Sequence, residues 1–234
     1  SYFIIGDNKS FKFFGTAQDH KRVYENEKGP NTGGMGAYSP SPIITKSLEK
    51  KIISKIISPT LKALKSKNKP YNGFLYVGLM IKNNEPYLIE YNIRMGDPEC
   101  QVILPRLKTD ILKIFNHSIE NKLNKIKIKW NKQKSMTIVL CAKGYPGTYK
   151  KNLKIKNMNK IRESKTNFIY HAGSKLFDKE LRSSGGRVLN ITSIGKNFLK
   201  IRNNIISNIK RLNWKDGFYR KDIGWRVINK NENY

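Results

Sequence analysis

Apolar and polar positions along the chain change their period several times, and the changes mark out its elements. Short apolar runs at Tyr2 to Ile5 and Phe11 to Thr16 flank Gly6-Asp7-Asn8, which predicts a hairpin. Residues 19–42 then show neither a strand nor a helix period and contain Gly29-Pro30-Asn31-Thr32-Gly33-Gly34-Met35-Gly36. This predicts a long polar loop, and loops of that length are often functional. Behind Thr45, a capping residue, Leu48, Ile52, Ile53, Ile56, Ile57, Leu61 and Leu64 recur at helical spacing, and Pro59 should bend or break that helix. Gly73 to Ile81 and Pro86 to Glu90 around Asn83-Asn84 predict a second antiparallel hairpin. Asp97-Pro98-Glu99 has the form of a helix start, a capping carboxylate followed by proline and an acid, and Thr109 to Leu123 predicts another helix. Ser135 to Ala142 and Arg187 to Ile194 are strand-like, 144–147 and 183–186 are turns, and Phe198 to Leu212 is an amphipathic helix. There is no internal repeat.

These elements predict an α+β chain in two parts. Residues 1–123 form an antiparallel sheet with packed helices, the polar and basic stretch 124–134 is a linker, and 135–234 form a small β-rich domain with a helix. With 234 residues the chain can bury a real core. No apolar run approaches the ~20 residues that cross a bilayer, and the start lacks the regions of a signal peptide, so the expectation is a cytoplasmic protein without a membrane partner. Ser1 is not an initiator Met and the chain opens inside a strand pattern, which reads as a fragment of a longer protein. Cys100 and Cys141 are read as packed thiols rather than a disulfide framework.

Charge is the largest departure from ordinary composition: 46 Lys and Arg against 17 Asp and Glu, a formal net +29. A basic stripe could neutralise phosphates on DNA or RNA. Here the lysines are spread through nearly every segment and mixed with Asn and Ile, as AT-rich coding would produce, so no specific nucleic-acid partner is expected. Charge of this kind bears on solubility and non-specific binding, not on fold.

The residues with the clearest chemistry lie at the end of the second hairpin. Side chains two apart on a strand share a face, so Glu90, Asn92 and Arg94 project together. Two oxygen donors suit magnesium, which completes its shell with water and phosphate oxygens. A guanidinium beside them can hold a carboxylate or an acyl phosphate through paired hydrogen bonds. Taken alone, Glu90 and Asn92 are equally a surface glutamate and a turn asparagine. The glycine-rich segment 29–36 lacks the Gly-Lys-Ser/Thr ending of a Walker loop, yet its glycines could turn N–H groups toward an anion. Equally, it could be an ordinary surface loop.

Leu88-Ile89-Glu90-Tyr91-Asn92-Ile93-Arg94-Met95-Gly96-Asp97-Pro98-Glu99 resembles the signature of the phosphoribosylamine-glycine ligases, the glycinamide ribonucleotide synthetases of purine synthesis. Six further blocks resemble the same family in its order: 18–22, 29–38, 73–76, 171–173, 185–188 and 220–226. The family belongs to the ATP-grasp ligases. The resemblance implies that the first part of the chain is the C-terminal part of an ATP-grasp domain. It also implies that ATP phosphorylates glycine and that phosphoribosylamine displaces phosphate from glycyl phosphate, giving glycinamide ribonucleotide. It further implies Mg2+ (or Mn2+) held by Glu90 and Asn92, ATP contacted by Met80, Glu90 and Asn92, and Arg94 as the catalytic arginine near the reacting carboxylate. Asp19, Lys21, Arg22, Pro30, Asn31, Thr32, Gly33, Gly34, Arg94, Asp97 and Arg220 would contact substrates, with Lys21 or Arg22 placed ahead of His20. Met80 read alone is core filler. Gly78 stands where many ATP-grasp enzymes carry a second acidic ligand. The family's N-terminal substrate domain and early ATP-grasp segment have no counterpart in these residues, so that half is an implied partner and the chain alone is expected to be inactive. Rival readings are a basic nucleic-acid-binding protein that retains the fold and a non-catalytic partner of a separate chain.

Overall fold

The computed structural model describes residues 1–161 and 163–228. From the N-terminus the elements are β1 (Tyr2–Gly6), β2 (Phe11–Thr16), β3 (Gln18–Asp19), β4 (Arg22–Tyr24), β5 (Lys28–Asn31), β6 (Gly36–Ser39), α1 (Lys46–Ile52) and α2 (Ser58–Ser66). They continue with β7 (Gly73–Lys82), β8 (Glu85–Asn92), α3 (Cys100–Ile103), α4 (Ile111–Ile119) and β9 (Lys134–Ala142). The remainder are β10 (Asn167–His171), β11 (Ser174–Phe177), β12 (Glu180–Ser183), β13 (Arg187–Gly195), α5 (Phe198–Leu212), β14 (Gly217–Phe218) and α6 (Trp225–Ile228). The architecture is α+β, as expected. Contacts divide the chain into two compact units that interleave in sequence: Ser1–Ala17, Pro40–Gly96 and Leu107–Asn131 form one, and Gln18–Ser39, Asp97–Arg106 and Lys132 onward form the other.

The first unit is built on an antiparallel sheet of order β2-β1-β7-β8. Asn83 and Asn84 both take left-handed φ, +52° and +57°, the backbone that a two-residue hairpin turn requires and that asparagine tolerates. Tyr2, Ile4, Leu75 and Val77 point to one face and pack on Leu48, Ile52, Ile56 and Ile57. Full burial of side chains of this size contributes roughly 1.5–3 kcal/mol each. Thr45 caps α1 by accepting from the Leu48 N–H at 3.2 Å. The helix then widens into a π-helical turn at Ile53–Ile57, where the Ser58 N–H reaches Ile53 O, and α2 restarts with Pro59 in its first turn. Pro59 has no N–H to donate, so the break falls where the sequence predicts it. Asp110 caps α4 by accepting from Leu112 N at 2.8 Å. In the stretch read as a linker, Lys129 O accepts from Lys108 N at 2.9 Å, and Trp130 packs edge-on against Phe14 with ring centroids 5.5 Å apart.

The second unit carries a sheet of order β10-β13-β9-β6-β3, with β14 also paired to β9. Central β9 is buried from Ser135 to Ala142, on both faces, and from Ile138 to Ala142 it is a continuous apolar run rather than an alternating one. Phe198, Ile201, Ile205, Ile209 and Leu212 of α5 complete the same core. Asn197 caps that helix from below, and Asn213 ends it in the left-handed conformation at φ +49°. Both cysteines are free thiols.

Two local expectations change. Residues 19–42 are not one open loop: β4 pairs with β5 as a small ribbon, and β3 and β6 join the main sheet of this unit. Strands of two to four residues broken by Gly and Pro carry too few positions for a period to be read. The Asp97 carboxylate does not cap a helix. Helix α3 begins at Cys100 with Glu99 as its N-cap, and Asp97 instead accepts from Gln101 Nε2 at 2.8 Å and Arg187 Nη2 at 2.9 Å.

Candidate functional site

In the first unit, β7 and β8 pair so that Tyr76 lies opposite Asn92, Gly78 opposite Glu90, and Met80 opposite Tyr87. Directly opposed residues share a face, and positions two apart along β7 do as well, so these six lie on one side of the sheet. The other side is the one covered by α1 and α2. Asn92 Nδ2 donates to Glu90 Oε1 at 3.1 Å, Arg94 Nη2 lies 3.4 Å from Asn92 Oδ1, and Arg94 Nη1 donates to Met95 O at 3.1 Å. The structure therefore brings Glu90, Asn92 and Arg94 together as a hydrogen-bonded run. Met80 is 58% exposed, which removes its reading as core filler. Gly78 contributes no side-chain oxygen opposite Glu90, and a Cβ there would stand 3.0 Å from Glu90 Cγ, so glycine leaves room for the carboxylate. A carboxylate and an amide oxygen two residues apart on an exposed strand are a donor set that fits a hard divalent cation.

In the second unit the glycine-rich segment is held tightly. Thr32 N and Thr32 Oγ1 both donate to Lys21 O at 2.8 Å, and Gly33 N donates to Tyr145 Oη at 3.1 Å. Gly34 N donates to Thr32 Oγ1 at 3.0 Å and Met35 N to His20 O at 2.8 Å. The N–H groups of residues 32–35 are thus spent within the protein, so no nest of free N–H groups forms at those four residues. Pro30 and Asn31, in β5, are exposed. Gly34 has φ +119°, and a Cβ on it would lie 2.5 Å from Pro98 Cδ, so only glycine fits. Arg187 Nη1 donates to Gly33 O at 2.9 Å and to Asp97 O at 2.8 Å.

The 19–22 segment separates into two roles. Lys21 pairs with Asp19 at 2.9 Å, and Arg22 Nη1 donates to Gly29 O at 2.8 Å; Lys21 and Arg22 both have exposed side chains. His20 is fully buried: its Nε2 accepts from Gly224 N at 3.2 Å, and Nδ1 has no partner among the described residues. It is a structural histidine. Arg220, expected at the substrate, is 1% exposed, and all three of its nitrogens donate into the protein. Nε and Nη2 reach the two Asp222 carboxylate oxygens at 2.8 and 2.7 Å, Nη2 also reaches Glu27 Oε1 at 2.9 Å, and Nη1 reaches Arg22 O at 2.9 Å. A guanidinium used in this way is a clamp on the chain, not a free hand for a ligand.

Burial, reinforced by Arg220 and Arg226 and only partly opposed by Glu27 and Asp222, pushes the His20 imidazole down to about 4. A histidine whose folded value is depressed stabilises the fold above its unfolded value near 6.5, and that stability is lost as pH falls from 6.5 toward 4. At ~1.4 kcal/mol per pH unit the loss is on the order of 3 kcal/mol. Denaturant titrations at pH 7.5 and 4.5 should show the midpoint falling, and His20→Gln should remove most of that difference. An unchanged pH dependence in the variant would mean that other groups carry it.

Comparison with known proteins matches the chain in two consecutive ranges. A model of the phosphoribosylglycinamide synthetase ATP-grasp (A) domain matches residues 1–100, and one of the C domain of the same synthetase matches residues 135–226. A phosphoribosylamine–glycine ligase of Agrobacterium fabrum is 42% identical over 97% of this chain and 53% of its own length. That of Escherichia coli O157:H7 is 40% identical over 100% of this chain and 54% of its own. The crystal structure of the Thermotoga maritima ligase superposes with a TM-score of 0.84 at 28% identity, covering 94% of this chain and 54% of that one. A biotin carboxylase domain of a thermophilic 2-oxoglutarate carboxylase, at TM-score 0.63 and 15% identity, shares the fold alone. The chain spans about half the length of the curated relatives it matches. With the A-domain and C-domain models matched in order along it, the chain belongs to the phosphoribosylamine–glycine ligase family of ATP-grasp enzymes.

Proposed function

We propose that this chain supplies the metal and carboxylate end of an ATP-dependent ligase that joins glycine to phosphoribosylamine. The observation that carries the reading is the hydrogen-bonded run of Glu90 and Asn92 on β8 and Arg94 just beyond its end, with Met80 on the same face of the sheet as Glu90 and Asn92. Glu90 and Asn92 would hold Mg2+ or Mn2+, which when bound neutralises phosphate charge on ATP. Arg94 is placed to hold the glycine carboxylate or the acyl phosphate, orienting it and stabilising charge as it develops. Met80, apolar and exposed on the same face, suits contact with a nucleobase. On this reading a glycine carboxylate oxygen attacks the γ-phosphorus of ATP and the bond to the β-phosphate oxygen breaks, releasing ADP. The amine nitrogen of phosphoribosylamine then attacks the glycyl carbonyl carbon, loses a proton, and the carbon–oxygen bond to phosphate breaks. Positioning and electrostatics carry both steps, with no covalent enzyme intermediate. Lys21, Arg22, Pro30 and Asn31, exposed at or beside the glycine-rich segment, are substrate contacts in this proposal, as are Asp19, Thr32, Gly33, Gly34 and Asp97 nearby; Arg220 is not.

No helix among the described residues is long and apolar enough to cross a membrane. The reading is tested by joining this chain to the N-terminal half of the Escherichia coli relative and measuring ADP release. The expected result is release that requires Mg2+, glycine and phosphoribosylamine together, with none from either half alone. Salt-sensitive DNA binding without any such turnover would support the nucleic-acid reading instead.

A further inference from the structure

Three sequence blocks in the second unit, 171–173, 185–188 and the turn 144–147, have no part in the chemistry proposed above, yet all three converge on one arginine. Gly173 N donates to Arg187 O at 2.8 Å, and a Cβ on Gly173 would stand 2.6 Å from that same oxygen, so the backbone at Arg187 is fixed by a close approach that only glycine permits. Ser184 N and Gly185 N both donate to Gly173 O, at 2.7 and 3.1 Å, tying the second block to the first. A Cβ on Gly186 would lie 2.2 Å from Tyr145 Cδ2, so Gly186 lets the Tyr145 ring lie directly on the chain. From this base Tyr145 Oη and the Arg187 guanidinium reach the glycine-rich segment. The guanidinium packs so closely on Gly33 that a Cβ there would be 2.9 Å from Arg187 Cζ. It holds Gly33 O, Asp97 O and Asp97 Oδ2 at once, at 2.9, 2.8 and 2.9 Å.

We infer that Arg187, seconded by Tyr145, is a positioning residue that fixes the Thr32-Gly33-Gly34 turn and Asp97 in a single arrangement for substrate binding. Gly33 and Gly34 carry no side chain to hold themselves in place, and glycine loses more conformational freedom on ordering than any other residue. The guanidinium supplies the missing constraint through three directed hydrogen bonds, which a lysine cannot reproduce because it lacks the planar fork. If the turn is ordered only a fraction of the time, apparent substrate affinity falls by that fraction while the rate at saturation is kept. The inference rests on the ligase reading for its consequence, but not for its geometry.

The test has two arms. Hydrogen exchange on this chain should show the amides of Gly33 and Gly34 exchanging about tenfold faster in Arg187→Gln, with the β9 amides unchanged; Tyr145→Phe should do the same to Gly33 without touching Arg187. In the joined enzyme, Arg187→Gln should raise KM for glycine or phosphoribosylamine about tenfold, leaving kcat and the KM for ATP within about threefold, and Arg187→Lys should recover only part of the loss. Unchanged exchange in both variants overturns the inference, as does faster exchange with unaltered KM values, and so does a loss confined to kcat. If the unsubstituted joined enzyme makes no product, the ligase reading fails, and the exchange arm alone decides whether Arg187 orders the turn.

Discussion

Replacing Arg220 with methionine should cost about 3 kcal/mol of folding stability, a far larger effect than removing a surface charge. The side chain is 1% exposed and joins Glu27 and Asp222 across nearly 200 residues of sequence. Methionine fills a similar volume, so packing is largely kept and the loss comes from two carboxylates deprived of their main partner, with Glu27 left to Arg226 at 3.6 Å and Trp225 Nε1 at 3.4 Å, and Asp222 to the Asn26 N–H at 3.0 Å. Burial alone would raise the Glu27 and Asp222 carboxyls, but hydrogen bonds and charge from Arg220 hold both below their ordinary range. Both partners retain some solvent contact, which keeps the expected cost at the lower end of that for a broken buried pair. Arg220→Lys keeps the charge but loses the fork and the Arg22 carbonyl, so it should fall between the two. A denaturant titration distinguishes the clamp from a ligand contact. A substrate-binding arginine would leave the midpoint alone and change only KM, and a shift below about 0.5 kcal/mol would return Arg220 to the substrate.

The same residue shows where sequence reasoning stops. The 220–226 block was legible as a family match, but a block does not reveal whether its arginine points outward or is spent inside. That depends on Glu27, some 190 residues away, coming to lie beside it. Elements with a sustained period or an explicit cap were readable: α5 over Phe198–Leu212, the Asn83-Asn84 hairpin, the Thr45 cap and the break before Pro59. The 18–39 segment was not, because its strands are two to four residues long and β6, which ties it into the sheet, takes its pairing from β9, more than 90 residues on, rather than from any local pattern. At the candidate site the two-residue step from Glu90 to Asn92 was visible because strand geometry sets it, whereas Arg94, beyond the end of β8, joins them through its hydrogen bond to Asn92. The role of Asp97 was misread because Asp-Pro-Glu has the local form of a helix start, while its true partner, Arg187, lies 90 residues away. Of the two readings left open for 29–36, the anion-facing one finds no free N–H groups at 32–35 for a related reason. Glycines permit such a nest, but Lys21 O, Tyr145 Oη and His20 O take the donors first.

Glu90→Ala in the joined enzyme should lower kcat/KM by a factor on the order of 10² to 10³ while leaving stability within about 0.5 kcal/mol. The two halves of that expectation have separate physical causes. Glu90 is exposed and its carboxylate accepts from the Asn92 amide, so its removal strands no buried group. Its carboxylate is the one formal charge in the proposed ligand pair, since Asn92 is neutral and Gly78 opposite has no side-chain oxygen to substitute. A cation left with the Asn92 oxygen and water would bind far more weakly, so much of the lost activity should return when Mg2+ is raised well above its ordinary assay concentration. Arg94→Lys gives the contrasting pattern. It keeps a positive charge but not paired hydrogen bonds, so its loss should not respond to Mg2+. Full activity in Glu90→Ala at low Mg2+ would remove Glu90 from the metal site. A loss equally insensitive to Mg2+ in both variants would place Glu90 and Arg94 together at the carboxylate and leave the cation to other ligands.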